Sequence, residues 1–134
     1  MTKFIKVARV AAGVLVSASV VAALAGCASS AEHEDLAIRA FQADAAHDSD
    51  GWKTLFCDGA QNNFLSTTAV EVPRESITVV GSEDVAWSSP SGDRKADAYD
   101  VTLQFKFDGK AYESHVFVSK ADDCALDAPT STVL

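Results

Sequence analysis

This sequence of 134 residues lacks several features that mark common protein classes. Residues 28–134 hold only eight Lys and Arg against 19 Asp and Glu, a formal charge of −11, so charge alone would not attract nucleic acid or an anionic membrane surface. The three cysteines form no C-x-x-C motif and have no histidine cluster beside them, which disfavours a metal centre or a redox dithiol. We therefore predict no metal, no cofactor and no nucleic acid partner.

The apolar run near the N-terminus is short. Residues 10–25 are sixteen uncharged residues, whereas a membrane-spanning helix needs about 20 apolar ones. Lys3, Lys6 and Arg9 precede the run, and a basic segment followed by an apolar one is typical of an export signal. A retained membrane helix and an ordinary signal peptide cut after residues 23–25 are the alternatives.

The residues that close this run resemble the lipobox of bacterial lipoproteins: Leu24, Ala25, Gly26 and Cys27. In that family a diacylglycerol is attached to the cysteine thiol, and a signal peptidase cleaves just before the cysteine. The resemblance implies a signal peptide at residues 1–26, a lipidated Cys27 and a short tether over 27–31. Two acyl chains on one residue suffice for stable anchoring, which a single chain does not provide. We expect a protein held by lipid at the extracytoplasmic face of the cell membrane.

The other two cysteines, Cys57 and Cys124, predict a disulfide, because an exported domain folds in an oxidising compartment. Residues 27–134 suffice for one small domain, whose core has little margin. A bridge that closes most of this domain into one loop would contribute about 4 kcal/mol in the chain-entropy model. A thiol pair that binds metal or does redox work is the alternative.

Two helices are predicted at the start of the domain. Residues 32–47 form the first, and a residue among 48–50 caps the second, which ends at residues 58–59. Residues 61–65 are compatible with one further helical turn that buries Phe64 and Leu65. Each helix has apolar side chains at helical spacing: Ala37, Ile38, Phe41 and Ala45 in the first, and Trp52, Leu55 and Phe56 in the second.

Asp48, Asp50 and Gly51 match part of a calcium-binding loop. Aligning Gly51 with the glycine of that loop places Ala46 at the first ligand position and Cys57 where a bidentate Glu belongs. Neither residue can serve as the required ligand. The run is therefore predicted as a helix start and not as a metal site.

The second half of the chain predicts antiparallel strands. Residues 70–87 suggest short strands interrupted at Pro73 and at residues 81–84, and residues 88–97 suggest a flexible loop. Residues 98–107 and 110–120 alternate in polarity and flank Asp108-Gly109, the preferred chemistry of a type I′ hairpin turn.

This turn fixes which side chains share a face, because it places Phe107 opposite Lys110. One face is largely apolar and the other largely polar: Tyr99, Val101, Leu103, Phe105, Tyr112, Val116 and Val118 on the first, and Asp100, Thr102, Gln104, Glu113 and His115 on the second. The helices are available to cover the apolar face. The predicted class is therefore α+β.

The order of these elements resembles the cystatin-like cone fold of nuclear-transport-factor-two-like domains. A helix that ends in an acidic break, a second helix with Trp52, Leu55, Phe56 and Cys57, and then long antiparallel strands carry the resemblance. It covers residues 32–126 and implies two or three helices packed on a curved antiparallel sheet. Residues 127–134 are expected to be a tail. Small actinobacterial lipoproteins of this layout often join a cysteine in the second helix to one near the end.

No catalytic site is predicted. Enzymes with that fold place a carboxylate base among the apolar residues of the cone. The apolar face of this hairpin has no Asp or Glu, and the hydroxyls of Tyr99 and Tyr112 are more typical of a core. His33, His47 and His115 stand in no motif with a serine or cysteine nucleophile.

Two classes of function fit this sequence. The first is a non-enzymatic envelope module that meets a protein, glycan or lipid through the concave side of the sheet or the loop at residues 88–97. The second is a carrier of, or minor enzyme acting on, a small apolar ligand held in the cone. A filled interior would favour the first, and an apolar cavity with few polar groups would favour the second. We expect the first.

Overall fold

A computed structural model describes the backbone of residues 17–134 and the side chains from residue 31 onward. Two α-helices precede four strands: α1 (Ser17–Ala45), α2 (Ser49–Leu55), β1 (Ile77–Ser88), β2 (Lys95–Phe107), β3 (Lys110–Ser119) and β4 (Thr130–Val133). The strands form one antiparallel sheet in the order β1-β2-β3-β4. The predicted α+β class is confirmed, with helix packed on sheet, and the sheet is not strongly curled.

The export signal and the lipobox lie largely outside this description. Residues 1–16 and the side chains of 17–30, including Cys27, are not among the described ones, so lipidation stays a prediction. Within the described part of the chain, no helix is both long and apolar enough to cross a membrane.

The junction between α1 and α2 contains the N-cap of α2, which was predicted among residues 48–50. His47 adopts a left-handed backbone conformation (φ 56°), which histidine tolerates better than most residues, and the Asp48 N–H donates to the Ala43 carbonyl at 2.9 Å. The Asp48 carboxylate then accepts a hydrogen bond from the Gly51 N–H at 3.0 Å. A Cβ at Gly51 would lie 2.6 Å from Asp48 Oδ2, so a larger residue there would displace the capping side chain.

The second helix ends at Leu55, not at residues 58–59 as predicted. Phe56 is extended, and the flanking residues bond to a distant segment: the Ala125 N–H donates to the Leu55 carbonyl, and the Cys57 N–H donates to the Ala125 carbonyl. This tertiary pairing replaces the last helical turn. The predicted burial of Leu65 is also wrong, because Leu65 is fully exposed, whereas Phe64 packs edge-on against Trp52.

The first strand is longer than predicted. Residues 81–84 do not form a turn, because β1 runs unbroken and pairs with nearly the whole of β2. A β-bulge between Val79 and Gly81 accommodates a shift in the register of the two strands. Val70 and Val72 belong to no strand; they are tied to α1, since the Val70 N–H donates to the Ala45 carbonyl and the Gln42 amide donates to the Val72 carbonyl.

The hairpin of β2 and β3 is confirmed pair by pair, from Phe107 opposite Lys110 to Tyr99 opposite Val118. Asp108 and Gly109 both have positive φ, at 52° and 76°, as a type I′ turn requires. The loop before it is shorter than predicted, since β2 already begins at Lys95. The segment expected as a tail contains β4, which pairs with β3.

Both faces of the sheet contribute buried side chains. The main core joins α1 and α2 to the apolar face, with Ile38, Phe41, Val101, Leu103 and Val116 among its members. A smaller cluster lies on the opposite face at one end, where Trp87, Ala98 and Leu126 are buried. The polar face is thus partly covered by the segment around Leu126, which the alternation of β2 and β3 alone did not predict.

Candidate functional site

An aspartate lies on the apolar side of α1. Asp44 follows Phe41 by three residues and Ala37 by seven, which is the spacing of one helix face. Phe41 and Ala37 are both buried against the sheet. The helix therefore directs a carboxylate toward the interior of the domain.

Asp44 lines a cavity of about 600 Å³. Its walls come from the end of α1, from residues 63–72, from the turn end of β2 and β3, and from residues 129–131. The apolar lining is partly aromatic and partly aliphatic: Phe41, Phe105, Phe107, Tyr112, Val70 and Val72. The volume lies in the range of small-molecule sites, and such sites combine mostly apolar walls with a few polar groups.

The carboxylate of Asp44 has an unmet bonding requirement. Its Oδ1 atom is buried and accepts no hydrogen bond from the described residues. Burial raises the pKa of Asp44 from 3.8 to about 6, because the low-dielectric surroundings disfavour the charged form. At neutral pH the cavity therefore holds a carboxylate that is mostly ionised and lacks a donor. A strongly raised pKa inside a cleft marks a candidate functional residue.

Neutral polar groups complete the rim of this cavity. Asn63, Thr67, Thr68 and Ser131 line it beside the Tyr112 ring. The Thr67 side chain is held in place by His47, because its hydroxyl lies 2.9 Å from Nε2 of the imidazole. Among the described lining residues, the carboxylate of Asp44 is the only group that carries a full charge at neutral pH.

The two tyrosines predicted on the apolar face have different surroundings. Tyr112 stacks on Phe105 with ring centroids 5.3 Å apart and lines the cavity. Tyr99 stacks on His33 at 3.8 Å, and the Lys120 ammonium lies 4.9 Å from the Tyr99 ring centroid. Tyr99 is therefore partly covered by His33 and Lys120, and it does not line the cavity beside Asp44.

The polar face carries a second titratable group. His115 Nδ1 lies 2.8 Å from Asp100 Oδ1 and 3.3 Å from the Thr102 hydroxyl, and its Nε2 lies 3.6 Å from Glu113. The hydrogen bond to Asp100 raises the pKa of His115 most, and the charge of Glu113 adds to this effect. Sequence reasoning placed Asp100, Thr102 and Glu113 on the same face as His115 but did not predict the hydrogen bond to Asp100. These carboxylates already have a partner, and the residues line none of the described cavities, so we interpret this cluster as structural.

The predicted disulfide between Cys57 and Cys124 is present, with Cα atoms 5.1 Å apart. It lies next to Ala125, whose backbone joins the end of α2 to the end of β3. The bridge therefore fastens the N-terminal helical half of the domain to the far end of the sheet.

Another cavity, of about 460 Å³, has charged walls. Arg39 bonds to Asp35 at 2.9 Å, and the Asp48 carboxylate already caps α2. These side chains are exposed or engaged, so this cavity offers less to a ligand than the one beside Asp44.

Sequence reasoning missed Asp44, although a signal was present. The apolar stripe of α1 was defined by Ala37, Ile38, Phe41 and Ala45, and Asp44 interrupts the same face. A single acidic residue within a core stripe is expensive to bury and is therefore worth testing as a site. Comparison with known proteins adds no assignment, since no family model, curated protein or solved structure matches this chain.

Proposed function

We propose that this protein is a lipid-anchored module at the extracytoplasmic face of the cell membrane that binds a small, largely apolar molecule in the cavity beside Asp44. The observation that carries the binding proposal is the aromatic and aliphatic lining of that cavity around one polar centre. It favours the small-ligand class over the module that meets a protein, glycan or membrane lipid through the sheet or the β1–β2 loop.

The proposed anchor rests on the lipobox at residues 24–27, which follows a basic and then an apolar segment. The Cys57–Cys124 disulfide is consistent with a domain outside the cytoplasm. We expect intact-mass spectrometry of the membrane fraction to find cleavage before Cys27 and a diacylglyceryl adduct on its thiol. Cys27→Ala should release the protein from the lipid anchor, whereas Ser30→Ala serves as the control. An unmodified Cys27 in membrane-bound protein would refute the anchor.

We also propose that the domain belongs to the cystatin-like group of folds. Helix-on-sheet packing and the order of the elements support membership of the cystatin-like group. In that fold a curved sheet and its covering helices enclose the interior; the sheet here is not strongly curled, so the correspondence is limited to the space between helix and sheet that Asp44 and Phe105 line. An experimental structure with a ligand between α1 and the sheet would support this placement.

The binding proposal is testable by blocking the cavity mouth. Thr68 is exposed and lines the cavity, whereas nearby Ser66 is exposed and does not. We expect Thr68→Trp to abolish binding of a neutral probe, 2-phenylethanol, while Ser66→Trp leaves binding intact. Titrations followed by NMR, with the full-length processed protein in phosphatidylcholine nanodiscs, measure both variants. Equal binding by the two variants would contradict the assignment of this cavity.

A minor enzyme is the second candidate, and Asp44 is the observation that favours it. A carboxylate with a raised pKa in an apolar cleft has the properties of a general base. If the ligand has an acidic C–H bond, Asp44 could accept the proton. Deuterium exchange into a bound ketone that is lost in Asp44→Asn would support this candidate; exchange that persists in the variant would exclude Asp44 as the base.

A further inference from the structure

We infer that the ligand of the cavity is an organic cation, with an apolar body and a protonated amine that meets Asp44. This inference rests on the small-ligand function proposed above and adds the chemical class of the ligand. Its starting point is the buried Oδ1 atom of Asp44, which has no hydrogen-bond donor. A buried acceptor without a donor destabilises the folded protein, and a buried unpaired charge does so more strongly.

The protein itself supplies no counter-ion from the cavity walls. No Lys or Arg is among the described residues that line the cavity. Arg39 lies on the same helix, but it bonds to Asp35 at 2.9 Å and faces the other cavity. His47 does not line the cavity itself; its imidazole contacts the hydroxyl of Thr67, which does. The described walls therefore offer Asp44 no counter-ion, and a cationic ligand would supply one.

The aromatic walls of the cavity also favour a cation, in addition to the Asp44 carboxylate. Phe41 and Phe105 have ring centroids 4.7 Å apart, and Phe105 and Tyr112 have centroids 5.3 Å apart, so three aromatic rings form a continuous wall. The faces of aromatic rings attract organic cations, and their area favours an apolar body. Asp44 and this wall line the same cavity of about 600 Å³.

Neutral and anionic ligands fit these groups less well. A hydroxyl group can donate a hydrogen bond to the ionised Asp44, but it carries no charge and so lacks the Coulomb attraction that an ammonium adds in a site of low dielectric. A carboxylate ligand would be repelled by Asp44 and would bring no donor. The cavity should therefore rank three ligands of one shape in the order amine, alcohol, carboxylate.

The test compares three probes of similar size: 2-phenylethylamine, 2-phenylethanol and 3-phenylpropanoate. NMR titrations use the full-length processed protein in phosphatidylcholine nanodiscs at about pH 8, well above the pKa of Asp44, with empty nanodiscs as the baseline. We expect the amine to bind at least about tenfold more tightly than the alcohol, because only the amine adds the attraction between two full charges in a site of low dielectric. The carboxylate should bind most weakly.

Asp44→Asn removes the charge and keeps the shape of the side chain. We expect it to lower amine affinity about tenfold and alcohol affinity by clearly less, because only the amine loses an ion pair. Asp122→Asn is the matched control, because Asp122 is exposed and does not line the cavity, and it should change neither affinity. The ranking of probes on the unaltered protein does not depend on any variant.

The outcomes separate this inference from the function on which it rests. Equal affinity for amine and alcohol would overturn the cationic ligand and leave the small-ligand function standing. Loss of amine preference in Asp122→Asn as well as in Asp44→Asn would also overturn it, because the effect would then be one of net charge. Failure of all three probes to bind at millimolar concentration would overturn both.

Discussion

Two aspartates on opposite sides of the sheet, Asp100 and Asp44, differ in whether their carboxylate oxygens have a hydrogen-bond donor. Asp100 on the polar face accepts a hydrogen bond from His115 at 2.8 Å, and Glu113 lies on the other side of that imidazole. Asp44 on the apolar side has a buried oxygen with no donor. The fold satisfies the Asp100 carboxylate internally, whereas Asp44 Oδ1 receives no hydrogen bond from the described residues. A buried group that the fold leaves unsatisfied is therefore a better guide to a site than a titratable cluster.

The largest expected effect tests whether the apolar face is the main core. Phe105 is buried between helix and sheet, while Phe117 is half-buried on the opposite face. We expect Phe105→Ala to lower the free energy of unfolding by about 3–5 kcal/mol. Phe117→Ala should cost about 1–2 kcal/mol, since it removes less buried surface. Urea denaturation of both variants measures the difference, and equal losses would contradict the asymmetry of the two faces.

Removing the disulfide provides a second test of the difference between the two faces of the sheet. Cys57 packs against the small cluster on the polar face, and it does not line the cavity beside Asp44. We expect the double change Cys57→Ser and Cys124→Ser to cost about 2–5 kcal/mol of stability. Binding of 2-phenylethylamine should persist well below the lowered melting temperature. Loss of binding while circular dichroism still reports a folded domain would show that the bridge also shapes the cavity.

The third prediction concerns the unpaired carboxylate itself. Its pKa is raised from 3.8 to about 6, so the folded domain holds the Asp44 proton more tightly than the unfolded chain does. The stability associated with this proton is complete below pH 3.8 and is lost as the pH rises to about 6. We expect Asp44→Asn to remove this dependence and to stabilise the domain at neutral pH by clearly less than about 3 kcal/mol, because solvent screens the partly exposed carboxyl group. A pH series of urea denaturations checks both points, and a destabilised variant would mean that the charge is needed for folding.

The smallest effect is expected at the paired aspartate. Asp100 raises the pKa of His115, so their attraction stabilises the fold fully below pH 6.5 and weakens as the pH rises through the higher pKa of the folded state. The imidazole is 37% exposed, and solvent screening limits the contribution to less than about 1 kcal/mol. We expect Asp100→Asn to lower the pKa of His115 measurably in an NMR titration. An unchanged titration would show that the hydrogen bond does not govern this pKa.

Local patterns predicted some parts of the fold with the correct residues. The Asp108-Gly109 turn and the alternation around it predicted every pair of the β2–β3 hairpin, because neighbouring residues determine both turn geometry and facing. The cap of α2 depends on contacts within three residues and was predicted for the same reason among residues 48–50; the structure identifies it as Asp48. The expected turn at residues 81–84 was wrong because pairing with β2 along the strand outweighed local turn chemistry.

The sequence by itself determined the α+β class, the hairpin, the pairing of Cys57 with Cys124 and the apolar stripe of α1, since each depends on near neighbours or on parity. Only the tertiary structure decided that α2 stops at Leu55, that the expected tail forms β4, and that Asp44 lines the same cavity as several aromatic rings. The cavity joins the end of α1 to residues 63–72, the hairpin turn and residues 129–131. Segments so far apart in the chain come together only when the sheet forms, because no local interaction specifies which of them will meet.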